Sequence, residues 1–179
     1  METTKILEKT HDYRDYTAQN LSRIIKVPAF STTEKDRIQL LKKLCEEAGM
    51  EDLWIDGLGS LLGRVGKGPK KLVFDAHIDT VGIGDESQWK TPPFSGLIKD
   101  GLVYGRGASD QLGGAASMIT AARILRELAY HGDYEIWFSF TTIEEDCDGM
   151  CWKYLIEEEK FVPDFVVSTE PTSCRLYRG

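Results

Sequence analysis

Three β-type runs are each followed at once by residues able to carry chemistry. Residues 71–76 (KLVFDA) lead into His77 and Asp79, residues 134–142 (YEIWFSFTT) into Glu144 and Glu145, and residues 165–169 (FVVST) into Glu170. The first is a continuous β-type run, as expected of a strand covered on both faces. Helical stretches separate the runs, and strands alternating with helices predict an α/β chain with a largely parallel sheet flanked by helices. In open sheets of this kind ligands bind beyond the carboxyl ends of the strands. One rim is therefore expected to gather a histidine and several acids.

The remaining elements follow from local signals. A helix is expected over residues 5–26, ended by Val27-Pro28 because a residue before proline is pushed out of the helical region. Ser31-Thr-Thr-Glu34 has the pattern of a capping box opening a second helix, with Ile38, Leu41, Leu44, Cys45 and Ala48 on one face and Gly49 as its stop. Residues 53–55, 60–65 and 102–104 read as further strands, residues 112–131 and 149–160 as helices. A long loop spans residues 77–101, and the final strand, after Pro163, is expected in the core. Loops of such length in compact domains are often functional.

Each acid also has a structural reading. Asp110 is a natural helix N-cap, Glu144-Glu145-Asp146 suit the positive end of the next helix, and Glu170 suits a solvated loop. Their convergence at strand ends shifts the balance, because crowded like charges repel unless a cation neutralises them. A divalent metal site is the economical explanation. Histidine with carboxylates suits zinc, with manganese or cobalt as alternatives. His77 and Asp79, two apart in an extended chain, point the same way, so Asp79 can support the imidazole.

The chain has 22 Lys and Arg against 29 Asp and Glu, a formal net charge of −7 over 179 residues. That excess of acid argues against nucleic-acid binding and against a basic membrane patch. No apolar run approaches the ~20 residues that span a bilayer, and the charged N-terminus does not read as a secretory signal. Cys45, Cys147, Cys151 and Cys174 lack CxxC spacing. They are read as reduced cysteines of a cytoplasmic protein rather than as a zinc clip.

The run Asp75-Ala-His77-Ile-Asp79, the loop Gly105-Arg-Gly-Ala-Ser-Asp110-Gln-Leu-Gly-Gly114, the pair Glu144-Glu145 and Glu170-Pro171-Thr172 occur in that order. In this the chain resembles the M20 family of metallopeptidases, which includes carboxypeptidase G2-like enzymes, acetylornithine deacetylase, succinyl-diaminopimelate desuccinylase and aminoacylases. The wording around Asp110 and after Glu144 is most similar to the selenium-metabolism-linked hydrolase subgroup. The resemblance implies a zinc-exopeptidase-like fold and two divalent ions, zinc foremost. It implies hydrolysis of amide bonds in small N-acyl amino acids or peptides. By the same resemblance His77 and Glu170 hold one metal, Asp110 bridges two, Glu145 holds the second, Glu144 is the general base, and Asp79 orients His77. A cis peptide at Asp110-Gln111 is implied as well.

The family pattern also has a second histidine ligand farther downstream and an inserted lid or dimerisation domain. His11 and His131 match no such position and read as surface residues. Residues 1–179 are thus expected to be the N-terminal part of a catalytic metallohydrolase domain whose sheet is incomplete at its C-terminal side. The full-length protein is expected to dimerise through the missing domain, and this chain alone to have little activity. The competing readings are a non-catalytic fragment with residual metal binding or an interaction role, and a zinc or redox protein using Cys147, Cys151 and Cys174.

Overall fold

A computed structural model describes residues 3–173 and 175–177. The helices are α1 (Thr3–Asp12), α2 (Arg14–Ile25), α3 (Lys35–Glu47), α4 (Leu112–Glu127) and α5 (Met150–Glu157). The strands are β1 (Glu51–Ile55), β2 (Leu61–Val65), β3 (Lys70–His77), β4 (Leu97–Lys99), β5 (Leu102–Tyr104), β6 (Tyr134–Thr141) and β7 (Phe165–Ser168).

Five strands form one sheet in the order β1-β2-β6-β3-β7. β3 runs parallel to both β6 and β7, while β2 is antiparallel to β6 and to β1. All but β2 therefore point in one direction, and their carboxyl ends share one rim, as the alternation of elements predicts. β4 and β5 pair separately as a small antiparallel ribbon.

The sheet is packed on both faces. Ile24 and Ile25 of α2, Leu41 and Leu44 of α3, and Ala115 and Ile119 of α4 bury with Leu61, Val65, Phe138 and Phe140 in the main core. Leu155 of α5 and Phe161 close the opposite face over Leu62, Val73 and Trp137. Apolar burial of this extent is the dominant favourable contribution to folding.

Three local expectations are corrected. The helix expected over residues 5–26 is two helices, α1 and α2, meeting at Tyr13. The expected capping box does not form: α3 begins at Lys35 with Glu34 as its cap residue, and no side chain caps it. The Ser31 and Glu34 side chains are drawn away by tertiary partners, described below. β7 is not a core strand. Among the described residues it pairs only with β3, and Phe165, Val166 and Val167 are 58, 44 and 40% exposed. An edge strand of apolar residues looks in sequence like a buried one, because periodicity does not reveal whether a partner lies beyond.

The long loop after β3 is pinned rather than free. Trp89 Nε1 donates to the Ile83 carbonyl at 2.8 Å, and the Arg106 guanidinium lies 5.0 Å above the Trp89 ring. Phe94 meets Phe30 edge-on at 6.2 Å. Among the described residues no helix is long and apolar enough to cross a membrane.

Candidate metal centre

His77 is the last residue of β3 and is nearly fully buried. Its position opposite Thr141, in register with β6, sets it directly beside the loop that carries Glu144 and Glu145. Its backbone N–H donates to Gln111 Oε1 at 2.7 Å. One ring nitrogen, Nδ1, lies 3.1 Å from the Asp79 carbonyl and 3.5 Å from Asp79 Oδ1. The other, Nε2, faces the carboxylates: 2.9 Å to Asp110 Oδ1, 3.8 Å to Glu144 Oε2 and 3.9 Å to Glu170 Oε1.

Asp79 is completely buried and organises the second loop. Its Oδ1 accepts the backbone N–H of Glu144 at 3.2 Å, and its Oδ2 accepts that of Glu145 at 3.1 Å. Pinned in this way, the adjacent glutamates diverge. Glu144 faces His77 Nε2, and Glu145 Oε1 accepts the Val81 N–H at 3.2 Å.

Asp110 does not cap α4. The cap residue is Gln111, without a side-chain cap bond, and the Asp110 carboxylate turns to His77. The Asp110–Gln111 peptide is cis, as the resemblance implies. The loop before it must pack tightly against the segment after His77. Gly107 has φ +81°, and a Cβ there would sit 2.6 Å from Thr80 Cγ2, so glycine alone fits without displacement.

The electrostatics are those of a crowded acidic site around one imidazole. Burial lowers the His77 pKa, but hydrogen bonds to Asp79 and Asp110 and the charges of Glu144 and Asp79 outweigh it and bring it up to about 10. Burial likewise disfavours the Asp79 carboxylate, yet His77, Ser31 and the amides of Glu145 and Glu144 hold it below its ordinary range. Burial pushes the Glu144 carboxyl up; His77 opposes this and Asp148 and Glu145 add to it. Glu170 is raised in the same way, with Asp110 and Glu144 as its repelling neighbours.

These donors fit a divalent cation. Ligand atoms of His77, Asp110 and Glu145 lie within 4.8 Å of one another. Donors ~2.1 Å from a tetrahedral ion are about 3.4 Å apart, a value bracketed by the 2.9–3.9 Å separations around His77 Nε2. A neutral imidazole with several carboxylates is also the donor chemistry that zinc, cobalt and manganese accept.

The sequence-predicted residues His77, Asp79, Asp110, Glu144, Glu145 and Glu170 thus come together at one rim. His11 and His131 are exposed, and His131 Nδ1 lies 3.0 Å from the nearby Ala129 carbonyl. Cys45, Cys147 and Cys151 are free thiols; Cys45 and Cys151 are buried and Cys147 is exposed. Cys174 lies outside the described residues. Gln111, which ties His77 to Ser168 of β7 (Nε2 to Oγ, 3.4 Å), has no sequence signal beyond its place next to Asp110.

Fold and site define an α/β protein with an acidic centre at the carboxyl rim of its sheet whose donors suit a divalent cation. The sequence profile of peptidase family M20/M25/M40 matches residues 73–176, and the chain belongs to that family. It is 44% identical over 174 residues to the uncharacterized protein YgeY of Escherichia coli K12, covering 97% of this chain but 43% of that protein. Its fold is similar to human carnosine dipeptidase 1 (TM-score 0.77, 21% identity, 92% of this chain and 40% of that one). It is also similar to the di-peptidase Dug1p of Saccharomyces cerevisiae (TM-score 0.75, 21% identity, 87% and 37%). A third solved relative is the metallo-carboxypeptidase Sso-CP2 of Sulfolobus solfataricus (TM-score 0.71, 22% identity, 86% and 37%).

Proposed function

We propose that this chain carries the principal metal-binding and catalytic residues of a hydrolase that cleaves amide bonds in small peptides or N-acyl amino acids. The observation that carries this reading is the convergence of Asp110, Glu144 and Glu170 within 3.9 Å of one imidazole nitrogen. In this reading His77, Asp110 and Glu170 would hold one divalent ion, and Asp110 and Glu145 would hold a second. Zinc is the favoured ion. When bound, such ions supply Lewis acidity to a substrate carbonyl and to an attacking water.

Glu144 acts as the general base. Its raised pKa suits a carboxylate that takes a proton from water and returns it to the departing amine. Water oxygen bonds to the carbonyl carbon, the C–N bond breaks, and the proton ends on the amine nitrogen. Asp79 holds His77 from behind and sets the divergence of Glu144 and Glu145.

The second ion position draws only on Asp110 and Glu145 among the described residues, so it is the weaker of the two. We therefore expect little turnover from this polypeptide alone. The chain spans 43% of the length of the curated relatives it matches.

A cobalt titration followed by visible absorption tests the reading. Wild-type chain is expected to develop d–d bands that the His77→Ala variant lacks. Equal cobalt binding by both would overturn it. Assays of the longer relatives on dipeptides and N-acetyl amino acids, with Glu144→Gln as the control, test the substrate class.

A further inference from the structure

Ser31 lies between α2 and α3, far in sequence from the residues of the candidate metal centre, and outside residues 73–176 that match the family profile. Its hydroxyl donates to Asp79 Oδ2 at 2.6 Å. A small turn fixes it: Thr33 Oγ1 accepts the Phe30 N–H at 3.0 Å and donates back to the Phe30 carbonyl at 2.9 Å.

We propose that Ser31 is a positioning residue for the metal centre, acting through Asp79. The Asp79 oxygens are divided between two tasks. Oδ1 faces His77 Nδ1 and accepts the Glu144 amide, while Oδ2 accepts the Glu145 amide and the Ser31 hydroxyl. Ser31 is the one hydroxyl bonded to this carboxylate among the described residues. It fixes the carboxylate's rotation, and through it both the tilt of the imidazole and the separation of the two glutamates.

The same segment reinforces the arrangement. Glu34 Oε1 accepts the Ile143 N–H at 3.0 Å, immediately before Glu144. Arg37, fully buried in α3, donates through Nη1 to the Ile78 carbonyl and through Nε to the Val27 carbonyl at 2.8 Å. Ser31, Glu34 and Arg37 thus grip both loops that emerge from β3 and β6. Hydrogen-bonded partners behind metal ligands fix ligand orientation, and their loss weakens metal affinity.

The inference rests on the metal-centre reading above, and the test separates the two. Matched pairs, Ser31→Ala with Ser31→Thr and Ser31→Val, remove or keep the hydroxyl at this partly exposed position. Two readouts are taken beside thermal melting: the His77 ring nitrogen resonances of the metal-free chain, and cobalt affinity. Alanine and valine are expected to shift the His77 resonances and weaken cobalt binding ~10–100-fold, with melting unchanged and threonine restoring both. Wild-type resonances and affinity in the alanine variant overturn the proposal, as does a loss of affinity that only tracks a loss of the melting transition. If no form of the chain takes cobalt while Ser31→Ala still shifts the His77 resonances, the metal reading fails and the positioning stands.

Discussion

The side chain of Gln111 accepts the backbone N–H of His77 at 2.7 Å, and both residues are buried. Through this contact the start of α4 is tied to the end of β3. Gln111→Ala leaves a buried amide without its partner. Such a loss costs about 1–3 kcal/mol. Urea unfolding is expected to show a lower midpoint with an unchanged m-value, the pattern of lost stability rather than altered compactness. A midpoint equal to wild type would show that His77 N–H finds another acceptor.

Divalent ions are expected to stabilise the chain through the histidine and acids and not through thiols. At 100 times its dissociation constant a ligand adds ~2.7 kcal/mol. A zinc-dependent rise in melting temperature should vanish in His77→Ala and weaken strongly in Asp110→Asn. It should survive Cys147→Ser, since the described cysteines lie in no common cluster with the acids. The reverse pattern would restore the thiol reading.

Metal-free stability should fall as solutions become alkaline. The His77 pKa is raised from 6.5 to about 10 in the folded chain. A group whose folded pKa is raised favours folding while it is protonated. Its contribution is full below about pH 6.5 and is lost as pH rises through about 10. The His77→Gln variant should lack this decline in a series of urea midpoints. Because a metal needs the neutral ring, binding near pH 7.5 should release close to one proton from His77. Calorimetry in buffers of different ionisation enthalpy reads that proton, and heats independent of buffer would contradict it.

β7 exposes Phe165, Val166 and Val167 along a strand with one neighbour among the described residues. Unpaired apolar edges recruit other strands. Sedimentation is expected to show concentration-dependent association that Val166→Lys suppresses. A strictly monomeric wild-type chain would refute this.

The acids and the histidine were legible because strand ends are a physical place: a β-type run announces its own terminus, and in a sheet of like-directed strands those termini meet. Asp110 was legible only as one of two roles, and its turn toward His77 is tertiary. The roles of Ser31 and Glu34 are not legible, since a local capping pattern is satisfied on paper while the side chains find partners 48 and 109 positions away. The exposure of β7 was invisible for a related reason. Apolar residues state that a surface prefers to be covered, and nothing in their order states whether it is.

His77 sits opposite Thr141 in the ladder between β3 and β6. A slip of a single position would send the imidazole to the other side of the pleated sheet. If the centre takes cobalt as proposed, its colour would be a ruler: it would mark molecules whose β3 and β6 have zipped in the correct phase, and set them apart from compact, mis-threaded ones that other spectroscopies count as folded.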